Sequence, residues 1–62
     1  MDPRATMAAL LEALAEQNME EAAEHAENLA AWIKRGGFVP LELSVIAGNR
    51  ADCLAYLASV TE

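Results

Sequence analysis

Apolar positions recur at helical spacing along nearly the whole chain. From about residue 3 to residue 17, Met7, Leu10, Leu11 and Leu14 follow one another at intervals of three, one and three. At ~100° per residue they form one narrow stripe, and Glu12 and Glu16 fall on the opposite side. Asp2-Pro3 supplies the start: a carboxylate for the unpaired amides, then a proline whose missing N–H costs nothing in a first turn. The pattern predicts an amphipathic helix with a Leu-rich seam.

A second pattern opens at Asn18. Asn18-Met19-Glu20-Glu21 has the form of a capping box. Ala22, Ala26, Leu29 and Ile33 then make one stripe, flanked by His25 and Trp32. Glu20, Glu21 and Glu24 near the start, with Lys34 and Arg35 at the end, both suit the helix dipole. Gly36-Gly37 ends the helix, because glycine readily takes the left-handed cap conformation. With Asn18 serving as both cap and turn, the two helices are expected to form an antiparallel hairpin.

The third segment has an interruption. Leu43, Ile46, Ala47, Ala51, Leu54, Leu57 and Ala58 share a helical stripe after Pro40, but Gly48-Asn49 falls in its middle. One continuous helix is one reading. Two helices broken at Gly48, with Asn49 capping the second and Asp52 three residues in, is the other. Leu41, Leu43 and Val45 also alternate with Glu42 and Ser44, which is a strand pattern over 38–46. The helical readings are favoured. Arg50 mildly supports the break: in a continuous helix it lies along the apolar stripe and needs a carboxylate partner, whereas in a new first turn it reaches water. Leu54 and Leu57 are expected to be buried against Leu10, Leu11 and Leu14.

The predicted fold class is therefore all-α: an antiparallel helical hairpin plus a third helical segment, as one small domain over 1–62. Its length matters here. A chain of 62 residues buries only about 60% of the surface its unfolded form exposes, so it usually needs an added constraint. Cys53 is the only cysteine and His25 the only histidine, so neither an internal disulfide nor a Cys/His zinc site can form within one chain. Oligomerisation remains. Val45, Tyr56 and Val60 make a second apolar group off the main stripe, and a homodimeric helical bundle is expected to cover it.

Charge narrows the partners. The net charge is −6, and Glu12, Glu16, Glu20, Glu21, Glu24 and Glu27 form an acidic stretch with no Lys or Arg among them. Such a face disfavours nucleic acid and anionic membranes. Only Lys34 and Arg35 are adjacent cations, too few for a DNA-reading helix. The acidic stretch reads as the solvated outside of the hairpin. The sharper alternative is a surface that recognises a basic partner or imitates DNA phosphates. No apolar run approaches the ~20 residues of a membrane span, the start has no signal-peptide pattern, and a lone thiol suits a reducing compartment. A cytoplasmic location is expected.

Candidate chemistry is sparse. His25 lies one turn after Glu21, which makes half a metal site. Cys53 has no histidine near it in sequence to act as a base, so it reads as a buried thiol. Trp32-Ile33-Lys34-Arg35-Gly36-Gly37-Phe38-Val39-Pro40 is the most distinctive stretch. Its aromatics are either a hot spot for a partner or the residues that close the core over the turn, and the second reading is favoured. It is not a phosphate loop, since its glycines end a helix. Gln17 to Ala26 resembles the second helix of a tetratricopeptide repeat. The family's Trp-x-x-Leu-Gly pattern and closing proline are not in register, and the resemblance implies helical-hairpin chemistry alone.

No nucleophile–base pair or paired-carboxylate pocket can be named. The expectation is a non-enzymatic helical interaction or oligomerisation module without metal or cofactor, acting on itself or on a protein partner. Its candidate surface is Trp32, Phe38, Val45, Tyr56 and Val60, and its acidic face Glu12, Glu16, Glu20, Glu24 and Glu27. The alternative is a regulator of nucleic-acid transactions, as an acidic decoy or a compact DNA-associated protein.

Overall fold

A computed structural model describes all residues from Met1 to Glu62. It contains four helices and no strand: α1 (Pro3–Ala15), α2 (Met19–Lys34), α3 (Leu41–Ala47) and α4 (Arg50–Thr61). The Cα radius of gyration is 10.2 Å, close to the ~10.6 Å expected of a globular chain this long.

Local chemistry sets three of the four starts. Asp2 Oδ1 accepts from the amides of Arg4 at 3.0 Å and Ala5 at 3.4 Å. Asn18 Oδ1 accepts from the Glu21 amide at 3.3 Å, and Asn49 Oδ1 from the Asp52 amide at 2.8 Å. Each satisfies an N–H that the helix itself leaves unpaired. The Asn18 amide is committed elsewhere: it donates to Ala13 O at 2.9 Å, while Gln17, at φ 58°, donates to Leu14 O at 3.1 Å. This is a left-handed helix closure with glutamine in the position glycine usually takes. Three residues thus end α1 and begin α2.

Helix α2 is the centre of the fold. Helices α1 and α4 both pack on it, and α3 packs on α4. Its predicted stripe is fully buried, with Ala22, Ala26, Leu29 and Ile33 all shielded from solvent. Met7, Leu10 and Ala13 meet it from α1, Cys53 and Leu57 from α4, and Leu43 joins from α3. No polar side chain is buried, so the core is held by apolar packing alone.

Several expected positions shift. The α1 seam is rotated: Ala13 is buried, whereas Leu11 and Leu14 are half-buried at its edge. The third segment is two helices, broken at Gly48 with φ 105° and ψ −129°. A left-handed φ of this kind is easily held by glycine and costly for residues with a Cβ. The strand alternative over 38–46 is overturned, because Leu43 and Ala47, four apart, anchor α3 as a helix on the core side. The break also resets the helical phase. On α4 the buried pair is Cys53 and Leu57, Leu54 is half-buried, and Ala51 and Ala58 are exposed. Leu57 meets α2 in place of the α1 leucines, because α4 packs on α2.

Leu57→Ala is expected to cost about 2–5 kcal/mol, against a total stability of roughly 5 kcal/mol for so small a domain. The variant should be largely unfolded by far-UV circular dichroism. Leu54→Ala should stay folded with a lower urea midpoint, and equal losses in both would contradict the α4 phase described.

Candidate functional site

The most elaborate local structure lies where α2 ends and α3 begins. Gly36, at φ 98°, donates its amide to Ile33 O at 3.0 Å, and Gly37 donates to Trp32 O at 3.0 Å. These bonds close α2 with the left-handed glycine cap that Gly36-Gly37 predicts. Gly37 has a separate role. The Trp32 indole lies over it, and a Cβ at that position would collide with the ring atoms Cε2 and Nε1. Trp32 Nε1 donates to Phe38 O at 3.0 Å, and the two aromatic rings meet edge to face, with centroids 5.8 Å apart at 89°. That geometry is the favourable one for ring quadrupoles.

Arg50 closes the junction from the other side. It is the first residue of α4, yet its guanidinium reaches back to the end of α2. Nη1 donates to Gly37 O at 3.0 Å, and Nη2 donates to Ile33 O. A cation bonded to carbonyls at a helix C-terminus is favourable through both the hydrogen bonds and the dipole. Arg50 therefore has backbone carbonyls where the sequence pattern left it a choice between a carboxylate and water.

With residues 36–38 clamped, α3 emerges with one face turned outward. Pro40 and Leu43 are buried, whereas Phe38 is 54% exposed, Leu41 73%, Val45 78% and Ile46 47%. Leu41 and Val45 are four residues apart and share a face opposite Leu43. Phe38 and Leu41 also line a groove of about 450 Å³. Arg4 and Glu42 border the same groove, placing one charge of each sign beside the apolar residues.

The five residues singled out from the sequence are thus divided. Phe38 lines this groove and Val45 is exposed one turn after Leu41, while Trp32, Tyr56 and Val60 are half-buried and pack against the core. Phe38 does not close the core, contrary to the favoured expectation; its ring meets that of Trp32 edge to face and stays more than half exposed. Leu41, Ile46, Arg4 and Glu42 were missed. The signal for Leu41 was its helical spacing from Val45, which the alternation with Glu42 and Ser44 masked.

Elsewhere, Glu12, Glu16, Glu20, Glu21, Glu24 and Glu27 are all exposed on α1, α2 and the link between them. No group of three or more His, Cys, Asp or Glu side chains is placed to hold a metal ion. Cys53 is buried, with Sγ 3.5 Å from Gly48 O and 3.8 Å from Leu43 O. Burial, and then the nearby charge of Asp52, push its thiol pKa above the ordinary value.

Comparison with protein-family models, curated proteins and solved structures finds no match to this chain. The groove can receive apolar side chains, with a cation and a carboxylate to orient them.

Two outcomes follow from this geometry. Gly37→Ala should displace the indole, changing tryptophan fluorescence and lowering the urea midpoint; an unchanged spectrum would contradict the close approach. Cys53 should react with thiol reagents far more slowly in the folded protein than in urea. Because its folded pKa is raised, its contribution to stability is intact below the unfolded thiol pKa and is lost as pH rises from there toward the folded value. Between about pH 7 and about pH 10, the protein should therefore lose more stability than its Cys53→Ala variant, and equal losses would refute the shift.

Proposed function

We propose that this chain is a small non-enzymatic interaction module that works through helix contacts, with itself or with a protein partner. The observation that carries the reading is the outward face of Phe38, Leu41 and Val45, more than half exposed beside a groove and held by a hydrogen-bonded junction. Contiguous apolar surface on a small protein commonly marks an interaction site. The antiparallel hairpin expected for α1 and α2 is supported by the three-residue link between them and serves as the rigid support. The function requires no cofactor or metal.

A cytoplasmic setting suits the single reduced thiol, and no helix is long and apolar enough to cross a membrane. The second reading, a regulator of nucleic-acid transactions, is favoured by a different observation: six glutamates, all exposed, between Glu12 and Glu27. Such a surface suits a basic protein and repels DNA itself.

A photo-crosslinking residue placed at Val45, and separately at Glu24, distinguishes the readings in cells. Capture of a protein, including another copy of the chain, from Val45 is expected. Capture from Glu24 alone would favour the acidic surface. Capture from neither would refute the module. Duplex DNA should not be retarded by the protein at low salt, and retardation would put the nucleic-acid reading first.

A further inference from the structure

We infer that the partner of the α3 face is a second copy of this chain, packed about a twofold axis with Arg4 of each copy against Glu42 of the partner subunit. This deepens the interaction reading and rests on it. Three observations converge on this occupant.

The first is charge complementarity within one patch. A twofold interface presents the same surface from both sides, so every charge at its rim must meet its opposite from the same patch. Arg4 and Glu42 line the same groove as Phe38 and Leu41. Turned on itself, this arrangement supplies two cation–carboxylate pairs around an apolar centre. A strongly acidic or strongly basic partner would match only one of the two charges.

The second is the charge distribution of the whole molecule. A net charge of −6 opposes self-association if the charge is spread evenly. Here it is not. Six of the ten carboxylates, from Glu12 to Glu27, lie on the last turn of α1, the link and the first nine residues of α2. All four cations lie toward the other end: Arg4 borders the groove, Lys34 and Arg35 end α2, and Arg50 caps it. Against them stand Asp2, Glu42 and Asp52, with Glu62 beyond the end of α4 as the tenth carboxylate, so the end that carries the apolar face is close to neutral. Copies meeting there bring together the end with the fewest uncompensated carboxylates, which limits the repulsion between them.

The third is area. Phe38, Leu41 and Val45 are each more than half exposed, and Ile46 nearly half. A patch of so few large apolar side chains suits a small interface of about 1,200 Å² in all. That is the lower end of specific interfaces and fits a dimer that dissociates at micromolar concentrations.

Sedimentation velocity across a concentration series tests this with four proteins: wild type, Arg4→Glu, Glu42→Arg and Val45→Asp. Circular dichroism establishes that each remains helical. The wild type should form dimers reversibly. Each charge reversal should weaken dimerisation roughly tenfold by setting like charges opposite each other, and Val45→Asp should abolish it. The decisive sample is an equimolar mixture of Arg4→Glu and Glu42→Arg. In that heterodimer opposite charges face each other at both rims, so the mixture should dimerise more tightly than either variant alone. If either charge variant fails to fold, Val45→Asp still decides whether this face is the one used. A wild type that stays monomeric, dimers indifferent to Val45→Asp, or folded charge variants whose mixture gains nothing would each overturn the inference. A monomeric wild type whose Val45 crosslinker captures a different protein overturns self-pairing alone. No association of any kind overturns the interaction reading with it.

Discussion

The closing of α2 is the constraint on which the second half of the chain depends. The last carbonyls of any helix lack intrahelical partners and must find them elsewhere. Here the Ile33 carbonyl is shared by the Gly36 amide and the Arg50 guanidinium, and Arg50 also holds Gly37 O. Because Arg50 is the first residue of α4, one side chain ties the end of α2 to the start of the helix that packs on it. Helix α3 must then fit between two fixed points. It has only seven residues and one buried side chain, Leu43, so its position is set by its ends more than by its own packing.

The same junction explains where the large side chains go. The buried core contains no aromatic residue; alanines, leucines, a methionine, an isoleucine and a cysteine fill it. Ala22 and Ala26 let neighbouring helices approach α2 closely, which leaves little room for a ring between them. Trp32 lies at the edge instead, its ring over Gly37 and its N–H on Phe38 O. A buried indole needs a partner for that donor, and the turn supplies it. Phe38 accepts this bond through its backbone carbonyl, and its ring, edge to face with Trp32, stays more than half exposed.

What was legible in the sequence was mostly local. Asp2-Pro3, Asn18, Gly36-Gly37 and Asn49 each act on groups within a few residues, so helix boundaries could be read from them. The α2 stripe was legible because both neighbouring helices use it and no break disturbs its phase. The seam of α1 was harder. Leu11 and Leu14 look as buried as Leu10 in pattern, yet Ala13 occupies the close contact and the larger leucines lie at its rim. Past Gly48 a single wheel no longer applies, which is why Cys53 replaces Leu54 in the core. The partners of Arg50 were beyond local reading altogether, since they lie 13 and 17 residues earlier in the chain. For the same reason the groove was only partly legible: Arg4 reaches it from α1, far from Phe38 and Glu42 in sequence.

These features bear on how stability and recognition are divided in so short a chain. The core lies on one side of α3 and the exposed face on the other, and within this helix they draw on different side chains: Leu43 serves the first, Leu41 and Val45 the second. Substitutions on the outer face can therefore alter association without opening the core. The junction does not enjoy that separation. Trp32, Gly37 and Arg50 lie at the margin of the core and also set the direction in which Phe38 and α3 project. Their geometry transmits to the outer face through backbone bonds, with no contact to a partner needed. The placement of the charges follows a related logic. Cations gather at the end of α2 because its carbonyls favour them there, and acidic residues gather at its start because its amides favour those. The dipole of one central helix thus accounts, in part, for both the acidic half of the molecule and the nearly neutral end that leaves an apolar face free to be covered.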